Sequence, residues 1–215
     1  MLTDAGDLTL DGTPAEIDAI TAGVERLLAD GKRVIALGGD HAVTFPVMRA
    51  HARHHPGFSI LHFDAHPDLY DSFEGDPYSH ASPFARIMEA GLATRLVQVG
   101  IRADNAEQRA QARRFGVETV SMNRLHELPD LLPDGPVYVS IDLDALDPAY
   151  APGVSHHEPG GLSTRDVLRA IQHLRGPVIG GDVVELNPAR DINGVTAMVA
   201  AKFVRELGGA MLKPI

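Results

Sequence analysis

Ser59-Ile60-Leu61-His62-Phe63-Asp64-Ala65-His66-Pro67-Asp68 decides how the rest of the chain is read. It begins as an apolar strand and ends in Asp64, His66 and Asp68, spaced two apart. In an extended chain successive side chains alternate between faces, so these three are expected to point the same way. Pro67 has no backbone donor and holds His66 extended, which marks the change from strand to loop. Gathering two carboxylates and an imidazole at one strand end costs free energy that a bound cation offsets.

Working outward, short apolar runs with polar or Gly-rich ends recur at 33–37, 58–63, 95–99, 117–121, 137–143 and 178–184. The first of them leads into Gly38-Gly39-Asp40-His41. Thr13-Pro14-Ala15-Glu16 has the form of a capping box with Pro at the first helical position. Ile17, Ile20, Val24, Leu27 and Leu28 then recur at helical spacing until Gly31. Residues 81–91, 105–115 and 163–174 read as further helices, the last of these opened by Ser163-Thr164, and a final helix is expected from Gly194 to Leu207. The stretch 129–136 reads as a turn-rich connection, and 69–80 and 147–161 as long loops following acidic strand ends. Strands alternating with helices predict an α/β fold in three αβα layers, with a mostly parallel sheet of about six strands. No linker or repeat interrupts the pattern, so one domain over 1–215 is expected, with its ligands beyond the carboxyl ends of the strands.

Composition narrows the function. The 215 residues are 44% hydrophobic and 22% charged, with a net charge of -10. That balance argues against nucleic acid or an anionic membrane as partner and tolerates a cationic substrate. The absence of Cys excludes thiolate metal sites and a Cys nucleophile. No apolar run approaches a membrane span, and Met1 to Asp11 has no signal pattern, so the cytoplasm is expected.

Four strand ends collect the ionisable residues: His41 on the first, then Asp64, His66 and Asp68, then Asp142 and Asp144 with Asp147 beyond, and last Glu185. Taken singly, a His after Gly-Gly-Asp reads as a loop or capping residue, and an isolated Asp-x-Asp as a solvated strand end. Together they sit where a parallel sheet places its active site. Asp and His without Cys suit Mn²⁺, or Fe²⁺, Co²⁺ or Zn²⁺. Two ions sharing carboxylates would use His41, Asp64, His66, Asp68, Asp142 and Asp144, and a pair roughly 3.5–4 Å apart activates water at neutral pH. His62, one pleat before Asp64, is expected behind the ligands rather than among them. Gly38-Gly39 lacks the further residues of a nucleotide motif, and no Gly-x-Ser-x-Gly elbow occurs.

Gly39-Asp40-His41, Asp64-Ala65-His66-Pro67-Asp68 and Ser140-Ile141-Asp142-Leu143-Asp144-Ala145-Leu146-Asp147-Pro148 resemble the metal-binding motifs of the ureohydrolases, the arginase and agmatinase family. Pro152-Gly153, Glu158-Pro159-Gly160-Gly161-Leu162 and Asp182-Val183-Val184-Glu185-Leu186-Asn187-Pro188 extend the likeness, which begins near residue 33. The resemblance implies two Mn²⁺ per chain and hydrolysis of a small cationic guanidino substrate to urea and an amine. It places His41, Asp64, Asp68 and Asp142 on one ion and Asp64, His66, Asp142 and Asp144 on the other. Asp68 would also carry a proton to the departing amine, Glu185 would hold the guanidinium, and His80 would shuttle protons. A homo-oligomer, trimer or hexamer, is implied as well. The family's first strands have no counterpart here, so the strand before His41 is expected at a sheet edge.

Among substrates, the resemblance and the loop composition favour agmatine. The loop after Asp68 carries the aromatics Tyr70, Phe73 and Tyr78 and the acids Asp71, Glu74 and Asp76, but no Asn of the kind with which arginases hold an α-carboxylate. Acids there would repel a carboxylate and favour a second cation. Ala103-Asp104-Asn105 stands where arginases have an Asp pair, and Val154-Ser155-His156-His157 looks like agmatinases. Guanidinobutyrate and arginine remain open, as do a non-catalytic metal-binding or assembly protein and a deacetylase-like hydrolase with one zinc.

Overall fold

The structure, a computed structural model, describes residues 2–10 and 12–213. Its strands are β1 (Ile35–Leu37), β2 (Ser59–Phe63), β3 (Arg95–Val99), β4 (Glu118–Val120), β5 (Val137–Asp142) and β6 (Val178–Val184). They form one sheet in the order β1-β6-β5-β2-β3-β4, and every neighbouring pair is parallel. The helices are α1 (Glu16–Ala29), α2 (Thr44–His54), α3 (Pro83–Glu89), α4 (Ala106–Phe115), α5 (Leu128–Leu131), α6 (Thr164–His173) and α7 (Val195–Met211).

Side-chain alternation along the strands divides the core between the two sheet faces. Leu61, Phe63, Val139 and Ile141 face one cluster with Val167 and Ile171 of α6 and Phe203 and Leu207 of α7. Ile60 and Tyr138 face the other, with Val24 of α1, Val47 of α2 and Phe84 and Ile87 of α3. From β2 the chain proceeds to β3 on one side, and from β5 to β6 on the other. The crevice between β2 and β5 is therefore the switch point, where ligands of such sheets bind.

Local chemistry sets the helix ends. Ser163 and Asp166 form a reciprocal capping box at α6, and the Asn105 side chain caps α4, which Gly116 ends at φ 65°. The box expected at Thr13–Glu16 does not form: Ala15 is the N-cap, without a side-chain cap bond, and Glu16 reaches back to the Gly12 N–H instead. Helix α2 had no counterpart in the sequence reading. At 129–136, part of the expected turn-rich connection is the single helical turn of α5. The final helix extends beyond Leu207 to Met211. Strand β1 is the sheet edge, as expected, with Leu37 71% exposed. Among the described residues, no helix is long and apolar enough to cross a membrane.

Candidate metal centre

In the β2–β5 register Phe63 lies level with Ile141, so Asp64 and Asp142 leave the sheet side by side. Each motif then uses the same turn: the Asp64 carboxylate accepts the His66 N–H at 2.6 Å, and the Asp142 carboxylate accepts the Asp144 N–H at 2.7 Å. A short acidic side chain bonding two residues ahead folds the chain back without strand geometry. The expected extended alternation through residue 68 is thus corrected, since β2 ends at Phe63 and Asp68 has φ 51°. The Ala65 N–H donates to Asp144 at 3.2 Å and ties the two turns together. Gly100 (φ 98°) ends β3 beside them, where a Cβ would come within 3.0 Å of the Asp64 carbonyl oxygen.

The buried His41 Nδ1 lies 3.2 Å from Asp64, 3.0 Å from Asp68 and 3.4 Å from Asp142, all carboxylate oxygens, yet in none of these contacts is it hydrogen-bonded. Its Nε2 lies 3.0 Å from the Ser140 hydroxyl, which donates its own proton to Asp182 at 2.6 Å. Nε2 must therefore be the donor to Ser140, which leaves Nδ1 as the nitrogen that faces the three carboxylates. Asp182 is itself buried and also accepts from Tyr138 (2.9 Å) and Thr44 (3.0 Å). On the other side, His66 Nδ1 lies 3.1 Å from Asp144 and 3.4 Å from Asp64. His62 stays behind, bonded to Asp64 at 2.9 Å and to Gln98 at 3.1 Å, with both ring nitrogens engaged.

Charge balance explains the titration of this cluster. Burial pushes Asp142 well up, helped by Asp144 and Asp64, and pushes Asp68 up to about 7, helped by Asp64. Burial also opposes ionisation of Asp64, but the His41, His62 and His66 rings beside it outweigh burial and hold that carboxyl well down. Burial disfavours charge on His66, yet Asp144 and Asp64 raise it to about 11. His41 is raised in the same way, burial being overcome by Asp142, Asp64 and Asp68. Converging lone pairs that call for positive charge are the chemistry of a cation site, and the residues fit one.

Glu185 follows β6 with φ 66°, and its carboxylate accepts the His41 backbone N–H at 3.0 Å. It borders a cavity of about 210 Å³ together with His66, Asp68, His80, Asp142 and Asp144. Asp147 stays outside, its carboxylate accepting from the N–H groups of Ala149 and Gly160. The loop acids also point elsewhere: Asp71 bonds Arg86, Asp76 bonds the Tyr78 N–H, and neither these nor Glu74 line the cavity. Contrary to the expectation from sequence, those acids are not placed to meet the tail of a substrate in the cavity.

Two features escaped the sequence reading. One is the Ser140–Asp182 pair behind His41, although Ser140 lies one pleat before Asp142. The other is Arg102, whose guanidinium donates to the carbonyls of Gly100, Asp144, Ala145, Leu146 and Glu158 and so clamps the acidic turn to the following loop.

Residues 1–209 match the profile of the Arginase family. The chain belongs to the arginase family. It is 56% identical to "Arginase, mitochondrial" of Medicago truncatula over 86% of this chain, but spans only 57% of that relative. An agmatinase of Bacillus anthracis is 38% identical over 95% of this chain and 73% of its own length. The solved arginase from Medicago truncatula superposes with a TM-score of 0.87 at 52% identity, covering 94% of this chain and 66% of that one. This arginase-family sheet therefore has the fold of the solved arginase over nearly all of its length.

Proposed function

We propose that the chain is a two-manganese ureohydrolase that cleaves a guanidino compound to urea and an amine. The observation that carries this reading is Asp64, whose two carboxylate oxygens face His41 on one side and His66 on the other. His41, Asp64, Asp68 and Asp142 would hold one ion, and Asp64, His66, Asp142 and Asp144 the other. Four carboxylates with two neutral imidazoles carry four negative charges, the balance for two divalent cations. Such ions, when bound, supply Lewis acidity and an activated water. The chain's own residues do the rest. Glu185 accepts the forked N–H groups of the guanidinium, Asp68 carries a proton to the leaving amine, and His80 exchanges it with solvent.

Agmatine, giving putrescine and urea, is the first reading, because among the described residues no Asn, Ser, Thr, Lys or Arg lines the cavity to hold a substrate carboxylate. Arginine is the second reading, favoured by the 56% identity to a plant arginase. The test is urea release from agmatine, arginine and guanidinobutyrate, with metal stoichiometry measured on the same sample. Urea from none of them with two ions bound would leave a non-catalytic metal-binding protein. Cytoplasmic operation and homo-oligomer assembly belong to the same proposal, the latter supported by the β1 edge and checked by light scattering.

A further inference from the structure

Among the described residues, four other than glycine have positive φ, and two of them, Asp68 (51°) and Glu185 (66°), border the cavity. A side chain in the left-handed region strains the backbone and persists only where its surroundings over-determine it. For Asp68 those surroundings can be named. The Pro67 carbonyl accepts from the Gln98 side-chain amide at 2.6 Å. The Asp68 carbonyl accepts the Phe84 N–H at 3.2 Å, and the Leu69 N–H donates to the Gln108 side-chain carbonyl at 3.1 Å. Peptide units are planar, so anchoring the units before and after a residue fixes both of its free dihedrals. Gln98, on β3, anchors the plane before Asp68. Gln108, in the first turn of α4, and Phe84, at the start of α3, anchor the plane after it.

The two glutamines act with opposite ends. A carbonyl can only accept, so Gln98 presents its N–H groups to Pro67, and its amide nitrogen also lies 3.1 Å from His62 Nδ1. Its Oε1 is buried with no partner among the described residues. An unpaired buried oxygen is costly and a hydrocarbon side chain would avoid it, so what the amide adds is its donors. The Leu69 N–H can only donate, so Gln108 presents its oxygen. Gln98 and Gln108 are 0% and 4% exposed, where water competes little for these bonds. The conformation they frame brings the Asp68 carboxylate to 3.0 Å from His41 Nδ1. A right-handed Asp68 would turn its Cβ, and the carboxylate with it, another way.

We propose that Gln98 and Gln108 are positioning residues that hold Asp68 in its left-handed conformation and so direct its carboxylate into the candidate centre. This rests on the reading of Asp68 as a metal ligand and adds the two side chains that set its direction.

The experiment uses the full chain with Gln98→Met or Gln108→Met, changes that keep side-chain length and remove the bonds. In the metal-free protein, the three-bond amide–Hα coupling and the backbone chemical shifts of Asp68 read its φ. Both variants should move them from the left-handed toward the right-handed range. Manganese affinity, from chelator competition, should fall about 10-fold in each. Gln108→Met is then repeated together with Asp68→Gly, which fits the left-handed conformation without strain. There it should change affinity by less than about 2-fold, because the carboxylate it acts through is gone. An unchanged Asp68 φ in either folded variant, or an equal loss of affinity with and without the Asp68 carboxylate, overturns the proposal. Gln108 borders the cavity, so its variant decides the matter if Gln98→Met does not fold. Wild-type affinity in Asp68→Gly alone would instead remove Asp68 from the metal ligands, and the φ measurement would still decide what the glutamines hold.

Discussion

At the scale of single residues, His41 shows how a candidate ligand is oriented. Ser140 donates its proton to Asp182, so it can only accept from His41 Nε2, and the opposite nitrogen is turned toward three carboxylates. Partners of this kind fix ring orientation and tautomer and typically tune metal affinity by about 10–100-fold. Ser140→Ala is therefore expected to weaken manganese binding by about that factor in a competitive chelator titration. Wild-type affinity would show that packing alone orients His41. Asp64→Ala should have a different consequence, because among the described residues it removes the only carboxylate lying near both His41 and His66. The variant is expected to retain at most one ion per chain by elemental analysis, and two ions per chain would place the bridge elsewhere.

At the scale of elements, two loops and a helix meet through side chains that never touch the cavity. The α6 capping box satisfies N–H groups that the helix itself cannot. Ser163→Ala should cost about 1 kcal/mol in denaturant unfolding without changing metal stoichiometry. A neutral result would mean that water replaces the hydroxyl without loss. Arg102 acts on a larger span, holding the carbonyls of residues 144–146 and of Glu158 together. Arg102 was invisible in the sequence, because a guanidinium that bonds backbone carbonyls leaves no pattern in its partners. The loop acids misled for a similar reason: charge is visible in sequence, but direction is not.

At the scale of the molecule, the buried His51 links stability to pH. Its ring lies against Tyr138 at 4.9 Å, and neither nitrogen has a hydrogen-bond partner among the described residues. Burial lowers it from 6.5 to about 3, aided by His55 and His54. Between those values the unfolded chain binds a proton that the folded chain refuses, so this group destabilises the fold as pH falls below 6.5. The carboxylates raised by burial act in the opposite direction, but they are common to wild type and variant and drop out of the comparison. His51→Leu should therefore gain about 2 kcal/mol more stability at pH 5 than at pH 8. Equal gains at both pH values, from thermal unfolding, would contradict a neutral buried ring.

The sequence by itself determined the parallel sheet and the membership of its candidate centre. All six strands were visible because each is a short apolar run closed by polar residues, and the candidate ligands because they follow those runs, five of the six at spacings of two and His41 after Gly38-Gly39-Asp40. Helix α2 was not, because Arg49, His51, Arg53 and His54 interrupt its apolar positions, and the His51 ring is buried through tertiary contacts, among them Tyr138 and Gly180. Only the tertiary structure decided which lone pairs converge. Asp64 meets Asp144, and His41 meets Ser140, across separations of 79 and 99 residues, and no local period carries that information. It decided too that loop 69–80 lines the cavity with aromatic rather than acidic side chains. Arg86 and the Tyr78 N–H bond Asp71 and Asp76 outside the cavity, and the rings of two separate loops remain as its lining.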